Sequence, residues 1–241
     1  MPLPKISTPT YELELPSTGK KIKYRPFLVR EEKILILALE SQDTKQITNS
    51  IKTILKSCIS TRGIKVDSLP TFDIEYLFLN IRGKSVGEAL DLIVTCPDDE
   101  ETTVPVKIFI DEIEIQKDPK HSNDIKLDPN LTLRMKYPSL DQFIQTNFDF
   151  DATDDAGLNQ SFDIISSCID VVYSEEESWA ASDCTKKELR EWVEQLNTNQ
   201  FKLIEEFFTS MPKLSHTVKI KNPKTEVESD VVLEGLASFF G

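Results

Sequence analysis

The chain opens on two short runs in which polar and apolar residues alternate. "YELEL" (11–15) alternates with period two, and residues 20–24 alternate back after "PSTG" (16–19). Alternation puts successive side chains on opposite faces of a strand, and Pro, Ser and Gly supply the turn. A β-hairpin is therefore predicted, closed by Arg25-Pro26. The period then changes. "LVREEKILILALESQD" (28–43) is rich in helix formers around a dense apolar middle, Ile34 to Leu37 and Leu39. "TKQITNSIKTILKSCIST" (44–61) sets Ile47, Ile51, Ile54, Leu55 and Cys58 at helical spacing. Asp43 or Thr44 caps its start and Gly63 provides a left-handed stop. These two segments predict a helical hairpin.

A third helix is predicted from Phe72 to about Arg82, with Thr71 as N-cap and Asp73 and Glu75 in the first turn. From Glu88 to Tyr137 the texture becomes β-rich. "ALDLIVTC", "TTVPVKIFI", "EIEI" and "LTLRMKYP" predict a small antiparallel sheet, and "QKDPKHSNDIKLDPN" reads as a long loop. The pattern then turns helical over "SLDQFIQTNFDF", "SFDIISSCIDVVY", "TKKELREWVEQL" and "TNQFKLIEEFFTSM", with "DATDDAGLNQ" an acidic loop between the first two. Thr185 and Glu188 form a capping box. A last hairpin turns at Asn222-Pro223. The expected fold class is α+β: an N-terminal hairpin and helices, a small antiparallel sheet, and a helical C-terminal third with a terminal hairpin. The expected domains are 1–145 and an acidic, mainly helical 146–241.

Composition narrows the chemistry. The 241 residues are 39% hydrophobic and 29% charged, enough for a sizeable core. No apolar run has the length of a membrane span, and the N-terminus has no apolar signal region. Net charge is −13, concentrated late: residues 146–241 hold 8 basic and 19 acidic side chains. That excess repels nucleic acid and anionic membranes, so neither is an expected partner. "KKIKYRPF" is the nearest case to a basic nucleic-acid footprint, and it reads as an edge strand guarded by lysines.

The short motifs lack the context their chemistry requires. "GKS" (83–85) ends like a phosphate-binding loop, but Phe78 stands where the first glycine is required and a helix precedes it instead of a strand. Cys96-Pro97 resembles half a zinc knuckle, yet a structural site needs four close Cys or His ligands. Cys58, Cys168 and Cys184 are scattered, and His121 and His216 are isolated. No G-x-S-x-G or calcium-loop spacing occurs. No catalytic, cofactor or metal residue is nominated, and the chain is expected not to be an enzyme. Phe207, Phe208, Phe239 and Phe240 stand out instead. Burial in a core is their preferred role; were they exposed, they would be the candidate interface.

Three segments in order carry a family resemblance: residues 1–41, "FDIEYLFLNIRGKSVGE" (72–88) and "HTVKIKNPKTEVESDVVLEGLASFF" (216–240). They resemble the baseplate hub and hub-assembly proteins of T-even-type bacteriophages, a family with cyanophage members. The resemblance implies a structural or assembly role in the tail baseplate hub, through contacts with hub or tape-measure proteins. It implies location in the host cytoplasm during assembly, or in the virion baseplate. An assembly chaperone absent from the virion is the alternative within that class, and an envelope-degrading hydrolase is the alternative outside it.

Overall fold

A computed structural model describes residues 6–41, 43–139 and 155–239. In chain order its strands and helices begin with β1 (Tyr11–Glu14), β2 (Lys21–Tyr24), α1 (Val29–Glu40), α2 (Thr44–Cys58) and α3 (Thr71–Val86). There follow β3 (Ala89–Thr95), β4 (Thr103–Phe109), β5 (Glu114–Gln116), β6 (Asp124–Asp128) and β7 (Leu131–Met135). The rest are α4 (Asp155–Cys168), β8 (Ile169–Tyr173), β9 (Ser178–Ala180), α5 (Lys186–Val193), α6 (Thr198–Thr209), β10 (Lys213–Lys221) and β11 (Glu228–Glu234). The class is mixed α and β with small antiparallel sheets.

Two compact units emerge: Met1–Gln116 with Lys213–Gly241, and Lys117–Pro212. The expected boundary at 145 lies outside the described residues. The chain leaves the first unit after Gln116 and re-enters it at Lys213, and within that unit these two residues are antiparallel partners of β5 and β10.

In the first unit, β1 and β2 form the predicted hairpin, with Leu13 opposite Ile22. Gly19 holds φ +67 in its turn, a conformation that costs a glycine little. Asp43 caps α2 by accepting the N–H groups of Lys45 and Gln46. Ile51, Ile54, Leu55 and Cys58 form its buried face, the stripe their spacing predicts. α3 is apolar all round and is accordingly the central buried helix. It begins one residue earlier than expected, with Pro70 in the cap position, and runs on to Val86. Gly83 is an interior residue and Gly87, at φ +126, is the stop. The physical reason is packing: a Cβ at Gly83 would stand 3.0 Å from Ile110 Cδ1, so glycine admits the neighbouring turn. Two sheets cover this helix's core, the β3–β4 hairpin and the three-stranded β11-β10-β5. Leu79, Leu90, Ile108, Leu214 and Phe239 meet in that core.

The second unit is a four-stranded antiparallel sheet in the order β6-β7-β8-β9, packed with α4, α5 and α6. Leu133, Met135, Ile165, Cys168, Ile204 and Phe207 lie in its core. Three expectations are corrected here. "SFDIISSCIDVVY" is not one helix: α4 ends at Cys168 and the chain enters β8 directly, where Val172 faces Leu133. Its β-branched and aromatic residues suit a pleated, half-buried strand. β6 lies inside the segment read as a loop, since Ile125 and Leu127 alternate into the core. Within "DATDDAGLNQ", the described residues 155–160 are helical. The C-terminal third is therefore mixed, holding β8 to β11 beside its helices. The helix expected over 139–150 falls, apart from Ser139, outside the described residues.

Candidate functional site

The Gly-Lys-Ser at 83–85 is fully committed to structure. All three residues lie inside α3, whose backbone N–H groups are bonded within the helix, so no concave cradle of free N–H groups exists. Gly83 packs on Ile110. Lys84 pairs with Glu88 one turn on, and its ammonium lies 5.4 Å from the centroid of the Tyr11 ring. Ser85 Oγ donates to Ile81 O (2.6 Å) and accepts the Phe27 N–H (2.9 Å). Arg82, half-buried beside them, has its pKa lowered by burial. Lys84, not Arg82, is the basic residue of the last turn, where the helix's carbonyl end favours a cation.

The four phenylalanines do not form one patch. Phe207 and Phe208 lie buried on α6 in the core of the second unit, and Phe239 is buried in the core of the first. Phe240 is outside the described residues. Phe207 is held by rings: Phe208 stands edge-on at 5.2 Å and Tyr137 stacks at 5.7 Å.

Beside Phe207 the His121 imidazole meets two hydroxyls. His121 Nδ1 lies 2.9 Å from Ser210 Oγ, and its Nε2 lies 3.0 Å from the Tyr137 hydroxyl. The Tyr137 hydroxyl in turn donates to Asn123 Oδ1 (3.1 Å). Sequence reading missed this cluster, because its members are up to 89 residues apart. As a nucleophile and base it lacks two parts. The orienting partner of the imidazole is a phenol rather than a carboxylate. Ser210 is also the C-cap of α6, where carbonyls oppose a developing oxyanion instead of stabilising it. Burial moves the His121 pKa down, which favours the neutral ring stacked among aromatics.

The turn after Cys96 is closed by its own carboxylates. Asp99 accepts the Thr102 N–H (2.9 Å), while both Asp98 oxygens accept the Asn222 side chain at 3.0 Å. Hydrogen bonds from Asn222 and Thr225 lower the Asp98 pKa, and bonds from Thr102 lower that of Asp99. Among the described residues no group of three His, Cys, Asp or Glu is placed to hold a metal. All four cysteines are free; Cys58, Cys96 and Cys168 are buried and Cys184 is half-buried.

α1 buries Glu31, Leu35 and Ala38, yet its opposite side is also apolar and open. Val29 is 80% exposed, Leu37 56% and Ile36 49%. Sequence reading located the dense apolar middle of this helix but could not say that half of it would face outward. Sequence periodicity offered a signal all the same: a helix apolar on every side asks for a neighbour on every side.

At each position singled out, then, the side chains build packing, caps and closed turns. The chain matches the family described as T4 bacteriophage base plate protein over residues 8–241, and it belongs to that family. It is thus a structural protein of the phage tail baseplate, with other baseplate proteins as its partners. No curated protein and no solved structure matches it.

Proposed function

We propose that the chain works at the baseplate hub, as a component or as an assembly factor, by binding hub or tape-measure proteins without catalysing a reaction. The observation that carries this reading is the family match over 8–241, joined by the hub-like segments at 1–41, 72–88 and 216–240. The structural use of Lys84, Ser210, His121 and Asp98 supports it, since each is held in a contact that a substrate would have to break. Assembly takes place in the host cytoplasm in this reading, before the tail is complete.

Affinity capture of the tagged chain from infected cells tests the proposal. Recovery of hub or tape-measure proteins is expected, and recovery of no tail protein overturns it. Mass spectrometry of purified virions separates the two forms: a component is present in the particle, an assembly factor is absent. Clearing of peptidoglycan by the pure protein would replace this reading with that of a hydrolase.

A further inference from the structure

The outward face of α1 has a composition that matches itself. At 100° per residue, Val29, Lys33, Ile36, Leu37 and Glu40 fall within an arc of about 100°, directly opposite the buried Leu35 and Ala38. Lys33 and Glu40 are both exposed, and neither has an ion-pair partner among the described residues. The cation stands toward the N-terminal end of the stripe and the anion toward its C-terminal end, with Ile36 and Leu37 between them. With Ile34, 39% exposed on the flank, the open apolar area is on the order of 400 Å2, a size that marks interaction sites on otherwise closed surfaces.

We propose that this face binds a second copy of the chain, α1 against α1, antiparallel about a two-fold axis between Ile36 and Leu37. That axis sets Ile36 against Ile36 and Leu37 against Leu37, because a two-fold keeps each flank of the stripe on its own side. It sets Lys33 against Glu40 twice, because symmetry repeats every contact of an isologous interface. Parallel packing would bring lysine to lysine and glutamate to glutamate, so the charges select the antiparallel arrangement. The charge pattern is what favours a second copy over an unrelated helix: one surface supplies both halves of each ion pair.

A standard stable interface buries about 800 Å2 on each partner. The α1 stripe is about half that, so the dimer is weak and depends on concentration, with a dissociation constant on the order of 100 μM. It becomes populated where many copies are held together, as effective concentration replaces affinity.

Sedimentation equilibrium of the full chain from about 10 μM to 1 mM, spanning that constant, tests this. Wild type is expected to show a reversible monomer–dimer equilibrium. Lys33→Glu and Glu40→Lys each weaken it about tenfold, by turning two attractive pairs repulsive. The double variant carrying both changes restores it, and Ile36→Glu abolishes it. All these positions are exposed, and unchanged circular dichroism and thermal midpoint confirm that the variants fold. A chain that stays monomeric throughout the range overturns the proposal. So does a dimer that the single reversals leave unaltered, or one that the double reversal fails to rescue. If Ile36→Glu abolishes capture of another baseplate protein by a chain that was monomeric to begin with, the face belongs to that protein instead.

Discussion

The most exacting test of the first unit is the carboxylate of Glu31. It sits in the first turn of α1 with its side chain 4% exposed and four donors around it. Oε1 accepts from Arg25 Nη2 (2.9 Å), Arg30 Nε (2.7 Å) and Ser57 Oγ (3.2 Å), and Oε2 accepts the Leu28 N–H (2.8 Å). One side chain thereby joins the segment after the first hairpin, the start of α1 and the end of α2. Burial alone pushes this carboxyl up. The bonds from Arg25, the Leu28 N–H and Arg30 outweigh burial and hold the group at about 2, below its ordinary 4.5. A shift of that size corresponds to about 3 kcal/mol of folding stability.

Glu31→Gln preserves the shape and removes the charge. A glutamine has one acceptor oxygen, so its NH2 must confront either the Leu28 N–H or the Arg25 side of the cluster. The half-paired Arg25 is left largely buried, which adds to the loss. The expected cost above pH 5 is about 3 kcal/mol, or a fall of roughly 10 °C in the thermal midpoint of a unit this size. The sign with pH follows from the direction of the shift. A carboxyl with a depressed folded pKa stabilises fully above its unfolded value and ceases to as pH falls through its folded value. The gap between wild type and Glu31→Gln, measured by urea denaturation at a series of pH values, is therefore constant above about pH 5 and shrinks between 4.5 and about 2. A midpoint within about 2 °C of wild type would refute the reasoning, as would a gap that stays the same size down to the lowest pH at which the protein folds.

Other consequences can be checked with ordinary tools. ATP titration is expected to show no saturable binding, in wild type or in Lys84→Ala; binding that is lost with Lys84→Ala would return the motif to its phosphate reading. Gly83→Val is expected to lower stability by about 2 kcal/mol, because its first added carbon already stands 3.0 Å from Ile110 Cδ1. Phe207→Ala is expected to cost about 3–5 kcal/mol. Both tryptophans, Trp179 and Trp192, belong to the second unit, so fluorescence should report this loss as an earlier transition. Among the thiols, Cys184 should react with a disulfide reagent in the folded protein, while Cys58, Cys96 and Cys168 react on unfolding. Burial pushes the Cys168 thiol up to about 12, which removes its thiolate as well as its access.

What could be read from the sequence, and what could not, divides along the range of the forces involved. The first hairpin, α2, the Thr185–Glu188 capping box and the last hairpin were legible because each is decided by residues within a few positions of one another. The exit from α4 into β8 was not. Ile169, Val171 and Val172 continue an apolar run that suits either element, and the choice is made by pairing with β7, more than thirty residues away. The division of the chain was hidden for the same reason, since Gln116 and Lys213 become neighbours only when the sheet is assembled. The α1 face is the instructive case. Sequence shows that Val29, Ile36 and Leu37 are apolar, and the helix period shows that they share a side. Neither shows which side of the helix the rest of the unit will cover. Folding covers the Leu35 side, with Glu31 anchoring it through Arg25 and Ser57. The outward apolar stripe is then left over from intramolecular packing, and a helix that keeps such a stripe in water has a use for it between molecules.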